Sequence, residues 1–403
     1  MSTPFNKGLS SMKTFRSRLL TFAGAAGLAL AASATAASAD ALPTPAMAGP
    51  LTANANPFSV DLPDWFGDAG GKIYIGGDIS GIAYAQSNAT HAVPGDADTN
   101  IDLSNGQVWI QKTDGWLQFY AAFGAYSFPT VGVPYLRADI TEPATFGYMP
   151  VGYLKLQGEG DWSAWSIQAG KLPTLIGAEL PFTFQNMNIE RGQLWNIEPL
   201  VSRGVQVNWS NGPLSVSFSW NDGTYSNVLN SLSGLVSYGF NGGADTVAFA
   251  ASGNLGNPGF SALNSGSVYN LIWTHTSGNW TITPYLQYND TPAFGFGVTK
   301  GSTTFGGAIL ASYSFTDHWK MAGRVEYVSE SGHQGVFTTT DLLGYGPGSN
   351  AVTVTLTPSY QWKNLYARVD ASYISLGSAS TGFGTAFNQT DQFRGVLEIG
   401  VLF

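Results

Sequence analysis

Four histidines, His91, His275, His318 and His333, are the first residues to test for catalysis or metal binding, and their scatter has no metal-ligand spacing. The sequence has no cysteine, which removes thiolate nucleophiles, thiolate ligands and disulfides. It has no G-x-S-x-G elbow. Asp96 and Asp98 in "VPGDADTNID" resemble a fragment of a calcium loop but lack EF-hand spacing, so they read as a solvated loop. What remains is fixed charge. Lys320 and Arg324, Arg368, and Arg394 occupy polar positions of three alternating runs, with Glu326, Asp370 and Glu398 on the same faces. Upstream, "GKLPTLIGAELPFTFQNMNIERGQLWNIEPLVSRG" (170–204) carries Glu179, Glu190 and Arg191 in a segment broken by Pro173, Pro181 and Pro199. Acids on such a loop, facing guanidinium groups on a wall, would set a transverse field across a narrow water passage, and clustered fixed charge is how pores discriminate ions. The competing reading has Arg and Glu of the wall pairing to fill a lumen. Neither reading calls for a catalytic residue, a cofactor or a metal.

Charges used this way need a wall. The chain has 403 residues, 50 glycines and 13% aromatics, yet only 11% charged residues and a mean hydropathy of +0.01. Soluble domains carry about 25% charged residues. No internal apolar run reaches the ~18 residues of a membrane helix. Low charge without a hydrophobic helix points to alternation, as in membrane barrels. Leu214, Val216, Phe218 and Trp220 alternate with Ser215, Ser217 and Ser219; Val352, Val354 and Leu356 with Thr353, Thr355 and Thr357; Trp280, Ile282 and Leu286 with Thr281, Thr283 and Gln287. Short turns at 112–115, 158–162, 210–213, 241–245, 276–279, 315–318 and 362–364 alternate strictly with longer polar connections near 88–103, 129–146, 171–200, 221–231, 254–266, 290–302, 329–350 and 376–391. That count predicts an all-β fold, a transmembrane antiparallel β-barrel of about 16 strands over 71–403, with short periplasmic turns and longer outer loops. Trp116, Trp162, Trp209, Trp280, Trp319 and Trp362 lie in or beside the short turns, where a periplasmic aromatic girdle would be.

Residues 1–39 have the layout of a secretory signal peptide: Lys13, Arg16 and Arg18, an Ala/Leu/Gly core, then Ala37-Ser38-Ala39, with Met12 as a second candidate start. Cleavage there takes four of the 17 basic residues and none of the 26 acids, leaving an acidic chain that mildly favours cations at the mouths. Residues 40–70, rich in Ala, Pro and Asn, read as a periplasmic lead-in, with one helical turn at "DLPDWFGD". Net acidity argues against nucleic acid.

The chain ends "FRGVLEIGVLF", with Phe393, Leu397, Ile399, Val401 and Phe403 on one face. This resembles the C-terminal signal read by the barrel-assembly machinery. "KLPTLIGAE", "FTFQNMNIERG", "LW" and "SRGVQVN", with "WIQKTDGWLQFYAAFGAYSFPT" before them, resemble the OmpL-like β-barrel porins of Gram-negative bacteria, most clearly over 107–224. The resemblance carries over at Lys171, Pro173, Gly177, Glu179, Gln185, Asn186, Asn188, Glu190, Arg191, Trp195, Ser202, Arg203 and Gly204; Leu180 stands where that family commonly has an aromatic. It implies the outer membrane, contact with its lipid and lipopolysaccharide, and a homotrimer by analogy with wide porins. By the same analogy the third outer loop, 171–200, folds inward. Its amphipathic character, with Leu175, Ile176, Phe182, Phe184, Met187, Ile189 and Leu194 among polar residues, suits a loop resting on an inner wall. The expected pore constriction is Glu179, Glu190, Arg191, Lys320, Arg324, Arg368 and Arg394. Three functions stand: passive diffusion of small hydrophilic solutes and ions; a selective channel for sugars or organic acids, using Trp109, Tyr120, Tyr285 and Tyr366 as a sliding surface; or an outer-membrane enzyme or adhesin, for which no rim cluster or elaborated loop is legible.

Overall fold

The structure, a computed structural model, describes residues 47–54, 57–63, 70–256 and 261–403. The expected signal peptide and most of the helical turn at 61–68 lie outside the described residues. Seventeen strands form one antiparallel sheet. The first, β1 (Phe58–Asp61), is a short rung on the start of the second. Then come β2 (Lys72–Gln86), β3 (Thr99–Lys112), β4 (Leu117–Tyr126), β5 (Val151–Gln157) and β6 (Trp165–Pro173). After the long connection follow β7 (Val201–Asn211), β8 (Leu214–Asn221), β9 (Ser231–Phe240), β10 (Asp245–Asn254), β11 (Ser267–Ser277) and β12 (Trp280–Thr291). The last are β13 (Ser302–Ser314), β14 (Trp319–Glu330), β15 (Asn350–Trp362), β16 (Leu365–Gly377) and β17 (Asp391–Leu402).

Each strand from β2 onward pairs with its sequence neighbour, and β17 returns to β2 from Arg394↔Gln86 to Leu402↔Asp78. Sixteen strands therefore close a ring, and closure removes the unpaired edges that an open sheet would expose. Phe403 finishes the seam: its N–H donates to the Gly77 carbonyl and its carbonyl accepts from the Gly77 N–H. All seven short turns and all eight long connections fall between the strands expected from the alternation. One boundary differs. β3 begins at Thr99, so "TNIDL" is strand and not connection. Asn and Asp are poor strand formers in isolation, but here Thr99–Leu103 is zipped to β2 beyond a register shift at Ser80/Gly81. The connections also hold two short helices, α1 (Ala138–Ala144) and α2 (Ala262–Ser265).

The two faces separate as the alternation requires. On β8, Phe218 is 52% exposed and Ser219 2%; on β15, Leu356 is 55% exposed and Thr355 0%. The outward set is apolar and uncovered, the mark of a barrel whose solvent is lipid. Trp116, Trp162, Trp280, Trp319 and Trp362 are exposed at the short-turn end. Among the described residues no helix is long and apolar enough to cross a membrane; the strands do it.

Candidate functional site

β6 ends at Pro173, which has no N–H to continue a ladder, and the chain does not rejoin the wall until Val201. Every residue from 174 to 200 is buried. Single turns of 3₁₀ helix at Thr183–Gln185 and Trp195–Ile197 give it local structure. Gly177 has a φ of +87°, and a Cβ there would lie 2.0 Å from the Glu198 carboxyl, so this position needs glycine on both counts.

Many of the segment's hydrogen bonds go to inward-facing side chains of β11, β12, β14 to β17 and β3, and others to the backbone of 127–131. The Gly177 N–H donates to Asn270 Oδ1 at 3.0 Å; Gln287 and Asn289 on β12 donate to the carbonyls of Leu194 and Ile197. Glu326 on β14 accepts the N–H groups of Gln193 and Leu194 at 2.8 and 2.6 Å. Asp370 on β16 accepts the Glu190 N–H at 2.8 Å. On β3, Trp109 stacks on Phe184 with ring centroids 5.7 Å apart. The stems leave from β6 and β7; β14 and β15 stand eight strands away in the ring of sixteen, so the segment reaches the opposite wall.

The charged residues expected from sequence are placed as follows. Arg324 Nη1 meets Glu179 Oε1 at 2.6 Å and donates to the Glu190 carbonyl at 2.8 Å. Arg394 Nη1 meets Glu190 Oε1 at 2.6 Å and also donates to the Thr130 carbonyl, while its other nitrogens reach Gln86 Oε1 and the Val133 carbonyl. Arg368 pairs with Glu398 on the neighbouring strand and donates to the Asn186 carbonyl at 3.0 Å. Arg191 touches no carboxylate among the described ion pairs; it lies over the rings of Trp195 (4.9 Å) and Phe128 (5.7 Å) and donates to the carbonyls of Ile189 and Ser127. Burial pulls its guanidinium down to about 9, still a cation at neutral pH. Lys320 is apart from the group: it sits at the short-turn end of β14 and donates to the Pro50 carbonyl.

Two features depart from the sequence reading. Glu179 and Glu190 meet their arginines directly, and all four side chains are buried, so no water separates loop from wall there. Of the four aromatics proposed as a sliding surface, Trp109, Tyr285 and Tyr366 are buried; Tyr120 alone is half-exposed, stacked at 6.0 Å on Tyr153. Sequence parity says which face a side chain takes but not what covers it.

Two residues were not singled out. Glu198 is buried beside Glu179 and Glu326; burial first, then those two carboxylates, push its carboxyl well above the usual range. Lys155 on β5 points inward between Gln118 and Gln168, half-exposed, and no described residue pairs with its ammonium. Its signal was available: it is the one charge at a polar position between β4 and β13.

Residues 72–403 match the family model described as "Putative beta-barrel porin-2, OmpL-like". The chain belongs to that family. It is an outer-membrane porin channel of the Gram-negative type, and the ring described above is its barrel. No curated protein matches the chain. Among solved structures it is similar to the outer membrane channel DcaP of Acinetobacter baumannii (10% identity, TM-score 0.55, covering 82% of this chain and 97% of that one). It is also similar to the anion-selective porin from Comamonas acidovorans (12%, 0.53, covering 82% and 99%) and to OmpT of Vibrio cholerae in a trimer form (12%, 0.50, covering 82% of this chain). At such identities the likeness shows the fold.

Proposed function

We propose that the barrel passes small hydrophilic solutes and ions by passive diffusion, without catalysis, and that residues 174–200 are its constriction. A sixteen-stranded ring is too wide for its own side chains to fill, so the cut-off must come from something laid across it. The observation that carries the reading is the pair of buried clamps, Glu179–Arg324 and Glu190–Arg394, which hold the segment to β14, opposite its stems, and to β17 beside the seam. Arg191 stiffens it through Trp195 and Phe128, and Arg368 props it at Asn186. In this reading the charged residues fix the shape of the passage and the size of the solute follows from shape.

Residues 1–39 act as a leader and 40–70 as a lead-in to the barrel at 71–403. The assembly is a homotrimer, a state in which OmpT of Vibrio cholerae has been described. The test is single-channel recording in planar bilayers with a series of sugars. Shortening the segment between Leu180 and Gln193 should raise conductance and admit larger sugars while the barrel still shows its heat-modifiable mobility. Parental conductance and size limit in a folded barrel would sink the constriction role.

A further inference from the structure

The lead-in was expected to lie outside the barrel, yet part of it touches the lumen side of the wall and the underside of the constricting segment. The Ala48 N–H donates to the Gln185 carbonyl at 2.7 Å. Lys320 donates to the Pro50 carbonyl. Gln361, inward-facing on β15, accepts from the Thr52 N–H at 2.8 Å and donates to the Thr52 carbonyl at 2.7 Å, like one rung of a ladder. Pro50 and Leu51 are buried, and Met47 packs against the cluster of Trp109 and Phe184. Gly49 approaches so closely that a Cβ would lie 2.0 Å from the Asn186 carbonyl oxygen. Lys320 and Gln361 both lie at the short-turn, periplasmic end of their strands.

We infer that residues 47–54 are a displaceable strap that restricts the periplasmic half of the lumen beneath the constricting segment. The inference rests on the channel reading above. Among the described contacts, four hydrogen bonds, a contact of Asn54, the buried Pro50 and Leu51 and the packing of Met47 hold the stretch, and ordering eight residues costs free energy of comparable size. The strap is therefore poised to leave. No disulfide retains it, and three of these four bonds are made to flexible ends, the Lys320 ammonium and the Gln361 amide, which can turn to water when it goes; the fourth is to the Gln185 backbone carbonyl. A solute entering from either side meets two restrictions in series, one clamped by buried ion pairs and one held by neutral bonds and a single lysine.

Two variants of the full chain test this by single-channel recording. Deleting residues 47–54 removes the strap; Gly49→Val leaves it present but unable to seat against Asn186. An extended segment has a cross-section of roughly 5 by 10 Å, a large share of any small-solute passage, so each variant should raise conductance by about 1.5-fold or more. Brief closures should become rarer, and heat-modifiable mobility should be parental. Gly49→Val keeps the test open if the deletion assembles poorly. Parental conductance and closures in the folded variants overturn the strap. If the variant shortened between Leu180 and Gln193 gains conductance while these do not, the strap alone fails. If no folded barrel conducts, the channel reading fails with it.

Discussion

Replacing Arg324 by Met should free the constricting segment. The side chain is buried, bonded to Glu179 at 2.6 Å and to the Glu190 carbonyl at 2.8 Å. Met fills similar volume but leaves the Glu179 carboxylate with the Gly192 N–H at 2.9 Å as its one described hydrogen bond. Breaking a buried ion pair by removing one partner costs about 3–5 kcal/mol. The lower figure corresponds to roughly a hundredfold rise in the population of the released segment. The wall itself should survive, because the barrel ladder at Arg324↔Thr355 is backbone to backbone. Trypsin reads the outcome directly. Arg191 is the one Lys or Arg between 174 and 200, and it is buried, so cleavage there requires release. Parent protein in the folded state should resist cleavage at Arg191, and Arg324→Met should be cut about two orders of magnitude faster if opening is rapid relative to cutting. The double variant Glu179→Gln/Arg324→Met removes both charges, and apolar or neutral replacements of buried pairs are often nearly neutral. It should recover most of the protection. Equal protection in parent and Arg324→Met, or a double variant cut as fast as the single, would refute the clamp.

Other expectations follow from single residues. Glu198→Gln should stabilise the barrel and flatten its pH dependence: a carboxyl held above its unfolded value of 4.5 carries no penalty below that pH and a growing one as pH rises toward the folded value. The midpoint of heat modification, measured from pH 5 to pH 8, should fall for the parent and less for the variant; parallel curves would count against a buried neutral acid. Lys155→Glu should move the reversal potential in a salt gradient toward cations, because Lys155 is half-exposed and meets no carboxylate among the described residues, whereas Glu179→Gln should barely move it; the opposite ranking would show that the clamp faces water after all. Deleting Phe403 removes both backbone bonds to Gly77 at the seam, and the yield of heat-modifiable barrel in outer membranes should drop; unchanged yield would mean that the seam closes without them.

The ring was legible because its two determinants are local. Turn length and period-two alternation are written in consecutive residues, and "SNGP" or "TSGN" between two alternating runs leaves few options. The destination of 174–200 was partly legible, since Phe182, Phe184 and Leu194 ask for burial and Glu179 asks for a cation. Pairing was not. Parity put Arg324, Arg368 and Arg394 on one face without their heights along the barrel, and height decides that Arg368 meets Glu398 in the wall while Arg324 and Arg394 take the acids of the segment. The strap at 47–54 was illegible for a different reason. Its bonds are made mainly by its own backbone, which any sequence carries, and the one side-chain hint, Gly49, looks like any other glycine of an Ala/Pro/Gly-rich stretch.

The distribution of charge around the ring then says what kind of filter this is. From β4 round to β13 the inward positions are Ser, Thr, Asn, Gln, glycine and apolar residues, with Lys155 the single charge. From β14 through β17 and into β2 and β3 they include Lys320, Arg324, Glu326, Glu330, Arg368, Asp370, Arg394, Glu398, Asp78 and Asp102. The second arc carries the clamps, and most of its charges are buried against partners there. Opposite charges in direct contact cancel at a distance, so this arc projects little field into water. In the proposed channel a solute passing the part of the first arc that the segment leaves uncovered, away from its bonds to Asn270, Gln287 and Asn289, meets hydroxyls and amides on a wall that neither attracts nor repels ions strongly. Such a passage sorts by size first, with Lys155 adding a bias toward anions that salt should weaken as the Debye length falls below about 10 Å. In the proposed channel the low charge of the whole sequence and the concentration of its lumenal charge on one arc are two sides of one arrangement: charge is gathered where it fixes the segment, and Lys155 alone stands on the other arc.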